Sequence, residues 1–236
     1  MDIESIKNKI QNNIQDIEIF RDLEMKLLTS QGRDNIMYLL GSDYIVRIPK
    51  TPKREIIENK YLNDLSLALK KIGFIDVQIP EVIIDDSEFS ILKYIKCDND
   101  FTNLIEEDKM QIANSLINFL KALHRVDITG PEPSRENGWR GGDLSVYSED
   151  LYRSLDVMKC SNILESNILS ILKSDILNIW NESLTFKNIE KFWVHGDLTK
   201  DNILLNNKKL FAIIDFGCMA IGDRAVDLSI AYTFFE

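Results

Sequence analysis

The sequence predicts an α+β protein of two unequal lobes, a small antiparallel sheet carrying one long helix, then a larger and mainly helical part. Three observations point there. Short strand-like runs crowd the first 95 positions, long helix-period stretches dominate after Phe101, and a polar segment, Lys96–Asp100, separates the two regimes. The expected division is therefore 1–95, a hinge at 96–100, and 101–236.

Ile3, Ile6, Ile10 and Ile14 recur at helical spacing and predict a short amphipathic opening helix. Strands are expected at Met25–Leu28, Ile36–Leu40 and Tyr44–Ile48, with Gly41-Ser42-Asp43 as a hairpin turn. Thr51-Pro52 has the form of an N-cap followed by proline at the first helical position, opening a helix that Gly73 ends. Val82–Ile84 and Phe89–Ile95 read as two further strands about an acidic turn. In the second part, Met110, Ala113, Ile117, Leu120 and His124 mark a helix over 107–126 and its expected inner face. The stretch Ile128–Tyr147, with Gly130, Gly138, Gly141 and Gly142 beside Pro131 and Pro133, is a long loop, and loops of that length are usually functional. Helical patterns resume at Ser148–Met158 and Ser166–Leu184. Phe192–His195 reads as a strand, Ile203–Leu205 with Leu210–Ile214 as a hairpin, and Asp223 as the start of another helix.

Composition narrows the function. The 236 residues are 44% hydrophobic and 28% charged, an ordinary globular mixture. No apolar run is long enough to span a bilayer, and the first residues lack a secretory layout. Three cysteines without a close pair read as reduced thiols of a cytoplasmic protein, and with only two histidines a thiolate–imidazole metal site is disfavoured. The net charge of −10 disfavours a nucleic-acid partner. Thirteen basic and sixteen acidic residues precede position 96, against fifteen and twenty-two after it, so the excess is −3 and −7. A cationic small molecule would suit the second part, while from charge alone an acidic, solubilising surface is the favoured reading.

Chemistry concentrates in His195-Gly196-Asp197-Leu198-Thr199-Lys200-Asp201-Asn202, followed by Ile214-Asp215-Phe216-Gly217. Phosphoryl transfer needs a carboxylate to orient and deprotonate the attacking hydroxyl, and hard oxygen ligands for the metal that neutralises the phosphates. Asp197 and Asn202, five apart on one loop, can divide those tasks, and Asp215 supplies a second ligand. Gly217 is expected to permit the tight bend after it.

These motifs, thirteen residues apart between Asn202 and Asp215, resemble those of the aminoglycoside phosphotransferase and choline kinase superfamily, distant relatives of protein kinases. Gly222-Asp223 with Asp227-Leu228, and Leu123-His124, fit the same pattern. The resemblance implies a protein-kinase-like fold, Asp197 as catalytic base, Asn202 and Asp215 as Mg2+ ligands, His195 as a brace of its loop, and Asp227 as an anchor of the lobe. It also implies a phosphate-holding cation on the strand Tyr44–Ile48, where kinases carry lysine and this chain has Arg47. Glu58 on the following helix would pair with Arg47, and Lys50 falls on the opposite face of the strand. Gln31–Asn35, with one glycine, stands where the nucleotide-covering loop would lie. The base of ATP or GTP is expected against Lys93, Tyr94 and Ile95. The family's proteins continue with helices that wall the acceptor pocket, so a chain stopping at Glu236 reads as C-terminally truncated. The expected activity is transfer of the γ-phosphate to a hydroxyl of a small molecule. An aminoglycoside is the first-choice acceptor, ahead of a macrolide, choline, homoserine or amino-sugar. Trp139, Tyr147 and Trp180 stand as candidate walls of a choline box. A nucleotide-binding pseudokinase is the reading from another class, and the presence of Asp197, Asn202 and Asp215 together argues against it.

Overall fold

Alternating apolar residues draw the first strands into one sheet. The computed structural model describes residues 18–20, 23–29, 35–50, 57–127, 129–160, 166–186 and 189–234, with positions 8, 10 and 12. Ile3, Ile6, Ile14, Gln31–Asp34 and Thr51-Pro52 lie outside the described residues. Ile10 is helical and buried.

Strands β1 (Met25–Leu27), β2 (Asn35–Leu40), β3 (Tyr44–Pro49), β4 (Val82–Asp85) and β5 (Ser90–Lys93) form a five-stranded sheet in the order β1-β2-β3-β5-β4, and every pairing is antiparallel. The β2–β3 hairpin closes at Leu40 and Tyr44, with Gly41 at φ +61°, a conformation glycine adopts without strain. Tyr38, Leu40, Val46, Ile48, Phe89 and Ile91 pack with Ile10, Phe20 and Met25 into one apolar cluster.

Helix α1 (Ile57–Lys71) belongs to a different core. Its Leu62, Leu65 and Leu69 join α2 (Glu106–Leu123) and the hairpin β7 (Ile203–Asn206) with β8 (Lys209–Ile213) in the larger cluster. Two backbone links fasten the parts. Gln78 donates to the Phe211 carbonyl at 2.9 Å and accepts from Ile213 N–H at 3.0 Å, while Asn99 exchanges hydrogen bonds with Leu205.

The helix α2 has the expected extent but a different inner face. Ile112, Leu116, Phe119, Leu120 and Leu123 are buried, whereas Met110 and Ile117 are exposed. Two apolar stripes share the helical spacing, and the one with the larger residues faces inward. His124, at the end of the helix, rests against Phe192 with ring centroids 5.3 Å apart. Its Nε2 has no partner among the described residues, and desolvation, reinforced by Arg224, depresses its pKa. It is a packing residue in its neutral form.

Helices α3 (Ser148–Cys160) and α4 (Ser166–Ser183) follow, then β6 (Phe192–Val194). Its partner is β9 (Ala220–Gly222), a strand that three residues of sequence do not announce. Two short helices, α5 (Ala225–Leu228) and α6 (Ile230–Thr233), end the described chain. Among the described residues no helix is long and apolar enough to cross a membrane, and Cys97, Cys160 and Cys218 are free thiols.

Candidate active site

The site is built around the loop that leaves β6. His195 and Asp227 are fully buried, and the Asp227 carboxylate accepts from His195 N–H and from Gly196 N–H, each at 2.8 Å. Burial raises the pKa of Asp227, while the His195 ring and the two N–H groups pull it the other way. Gly196 has φ +82°, and a Cβ there would sit 2.2 Å from the Cys218 carbonyl oxygen, so this position requires glycine.

The His195 ring joins the two motifs. Its Nε2 lies 2.9 Å from the Ile214 carbonyl oxygen and its Nδ1 accepts from Asp197 N–H at 3.3 Å. Those partners assign the Nε2–H tautomer, which makes His195 a brace. Asn202 is buried, and its Nδ2 donates to the Asp197 carbonyl at 2.8 Å, which leaves its side-chain oxygen for another partner. Ile214 N–H in turn donates to the Asn202 carbonyl at 2.9 Å, so Asp215 follows directly beside the loop.

The unusual backbone of the second motif falls on Asp215 and not on Gly217. Asp215 has φ +62° and ψ +64°, a left-handed conformation that aspartate tolerates better than bulkier residues, and Gly217 has no positive φ. Asp215 is an exposed residue whose carboxylate is nevertheless partly desolvated by the protein around it. That partial desolvation, together with the nearby Glu58 charge, raises its pKa. A carboxylate so placed is poised for a cation, and Asn202 offers a neutral hard oxygen, a donor set that fits magnesium. Among the described residues no group of three or more carboxylate, imidazole or thiol side chains is placed to hold a metal, here or elsewhere.

The first part contributes a buried charge pair. Arg47 Nη1 donates to Glu58 Oε2 at 2.7 Å, with both side chains nearly enclosed. Arg47 Nη2 donates to Asn59 Oδ1 and Nε to Ser90 Oγ. Asn59 is itself held by Asp85 at 2.6 Å. The other oxygen of Glu58 accepts from Phe216 N–H at 3.2 Å, which ties α1 to the turn after Asp215. Lys50, by contrast, is exposed. Asn59, Ser90 and Asp85 were not singled out in the sequence, because nothing local marks a polar side chain as an arginine's partner.

Lys93, Tyr94 and Ile95 follow β5. The N–H groups of Lys93 and Tyr94 are taken by the Glu81 and Asp43 carbonyls, at 2.9 and 2.7 Å, whereas Ile95 N–H has no hydrogen bond among the described residues. Glu149 and Asp150 pair with Arg153, and the charged side chain nearest the Asp197 carboxylate in an ion pair is Arg140, at 3.7 Å. Tyr147 Oη donates to the Gly138 carbonyl and Trp180 Nε1 to Ser148 Oγ, and no ring contact among the described residues joins Trp139, Tyr147 and Trp180 into a box.

An antiparallel sheet lobe with a buried Arg47–Glu58 pair, set against a part in which His195 ties the two sequence motifs together, has the layout of a phosphotransferase of the kinase-like fold. Residues 28–236 match the family described as "Phosphotransferase enzyme family", and the chain belongs to it. A protein of Lactococcus lactis subsp. lactis (strain IL1403) described as a probable aminoglycoside 3'-phosphotransferase is 23% identical over 238 residues, which cover 97% of this chain and 80% of the relative. Two solved structures share the fold. The streptomycin–ATP–APH(2'')-IIa ternary complex is 23% identical, with a TM-score of 0.62 over 96% of this chain and 74% of that one. The GDP complex of aminoglycoside 2'-phosphotransferase-IIIa is 19% identical, with a TM-score of 0.68 over 98% and 77%. The chain is thus a kinase-type enzyme.

Proposed function

We propose that this enzyme moves the γ-phosphate of ATP or GTP onto a hydroxyl of an aminoglycoside. The observation that carries the reading is the pair of hydrogen bonds at Ile214, its carbonyl to His195 and its N–H to Asn202, which set Asp215 against the loop of Asp197.

In this reading the acceptor hydroxyl gives its proton to the Asp197 carboxylate as its oxygen attacks the γ-phosphorus and the bond to the β-phosphate oxygen breaks. The Asn202 side-chain oxygen and the Asp215 carboxylate would hold magnesium, which would supply charge neutralisation at the phosphates when bound. Arg47, with three of its five N–H groups engaged by Ser90, Glu58 and Asn59, keeps one on each terminal nitrogen for phosphate oxygens. The Ile95 N–H is the donor for the base. Support for nucleotide use comes from the ATP and GDP complexes of its structural relatives. Support for a cationic acceptor comes from the acidic excess of residues 96–236 and from the names of the relatives.

The test is a phosphoryl-transfer screen of aminoglycosides, macrolides and choline with ATP and with GTP. Turnover of an aminoglycoside is the expected result. Turnover confined to a macrolide or to choline would overturn the acceptor and leave the family standing.

A further inference from the structure

The glycine-rich stretch after α2 has no part in the mechanism above, yet it is built as a rigid bracket. Ile221 N–H donates to the Pro131 carbonyl and Asp223 N–H to the Gly141 carbonyl, both at 2.7 Å, so the stretch is fastened to β9 and to the residue that follows it. Between those points Asn137 is fully buried. Its Nδ2 donates to the Glu132 and Met219 carbonyls, and its Oδ1 accepts from Ser134 N–H at 2.7 Å. Gly141, at φ +68°, lies so close to β9 that a Cβ there would be 3.0 Å from the Asp223 nitrogen.

What the bracket presents is Arg140. Its Nη2 lies 3.7 Å from Asp197 Oδ1, with both side chains about two-fifths exposed. A Cβ on Gly196 would meet Arg140 Cβ at 3.0 Å, so the glycine that frees the catalytic loop also admits this side chain. An ion pair this open to solvent adds little to stability, too little to account for a buried asparagine and closely packed glycines that fix its position.

We propose that Arg140 is a positioning residue for the Asp197 carboxylate, holding one oxygen so that the other faces the acceptor hydroxyl. The proposal rests on Asp197 as the base. A guanidinium suits the task, since its planar head constrains the plane of a carboxylate where a lysine ammonium supplies only charge.

The experiment is steady-state kinetics of Arg140→Ala, Arg140→Gln and Arg140→Lys with ATP or GTP, magnesium and the acceptor found in the screen, or with water as acceptor if none is found. For Arg140→Ala and Arg140→Gln, kcat should fall on the order of ten- to a hundredfold, while the Michaelis constants of both substrates stay within about threefold. Arg140→Lys should recover part of the loss, and the melting temperature should move by no more than a few degrees. A kcat within about threefold of wild type, or a loss confined to either Michaelis constant, would overturn the role. In an Asp197→Asn background, Arg140→Ala should cost nothing more, and an additive loss would show that Arg140 acts elsewhere. Full activity of Asp197→Ala sinks the base assignment itself, whereas an inactive Asp197→Ala beside a fully active Arg140→Ala sinks only this inference.

Discussion

The two halves of the site hold their residues by different means. Around His195–Asp227 the positions are set by backbone groups: two N–H bonds to Asp227, a histidine bridging two strands of chain, and an asparagine fastened to a carbonyl. Around Arg47 they are set by side chains from β3, α1 and β5. A backbone-framed half tolerates little change in its frame but leaves its reactive side chains free to do chemistry. In the side-chain-framed half, the frame and the working group are the same atoms. Substitutions should therefore separate chemistry from architecture in the first half and fail to separate them in the second.

The largest effect expected is on turnover. Asp197→Ala should lower kcat by on the order of a hundredfold or more while nucleotide affinity by calorimetry stays nearly unchanged. Near wild-type turnover would reduce Asp197 to a loop residue. Next, Asp227→Ala strips two buried N–H groups of their acceptor. At about 1–3 kcal/mol for each unsatisfied group, urea unfolding should register a loss of several kcal/mol. Melting unchanged to within the error of the method would mean that the frame does not depend on this carboxylate.

Arg47→Lys should raise the nucleotide Michaelis constant by about tenfold and leave that of the acceptor alone, because an ammonium cannot reach Ser90, Glu58 and Asn59 at once. An unchanged value would show that the charge suffices and the frame does not.

Asp215 offers a smaller effect of distinctive sign. Its folded pKa lies above the ordinary 3.8, so the ionised form opposes folding at neutral pH, and the penalty is relieved as pH falls through the raised folded value. Without metal, Asp215→Asn should melt slightly higher than wild type at neutral pH, with the difference closing on acidification. With magnesium and nucleotide the order should reverse, and calorimetry should find the magnesium dependence of nucleotide binding lost. A variant that keeps that dependence would remove Asp215 from the ligand set.

Smallest of all, the Michaelis constant for an aminoglycoside should rise a few-fold with salt, as screening over about 10 Å at 0.1 M weakens steering by the acidic second part.

Sequence legibility follows the same division. The motifs His195–Asn202 and Ile214–Gly217 can be read directly, because each is short and its residues are adjacent in the chain. The strand β9 could not, since Ala220–Gly222 becomes a strand only by pairing with β6 some thirty residues earlier. Nor could the inner face of α2, where two stripes satisfy one period. Arg140 left a faint signal, a cation inside a loop whose glycines promised function, but its closeness to Asp197 depends on contacts with β9 that no local pattern encodes. Asp215 is legible as a member of the site and illegible as a backbone, because the glycine two positions on draws the turn to itself.

Glu58 carries one further consequence. One of its oxygens serves Arg47 and the other serves the Phe216 amide, so a single side chain is shared between the Arg47 half and the Asp215 half of the site. An outward shift of α1 would release both at once, leaving the arginine without its counter-charge and the Asp215 turn without its tether.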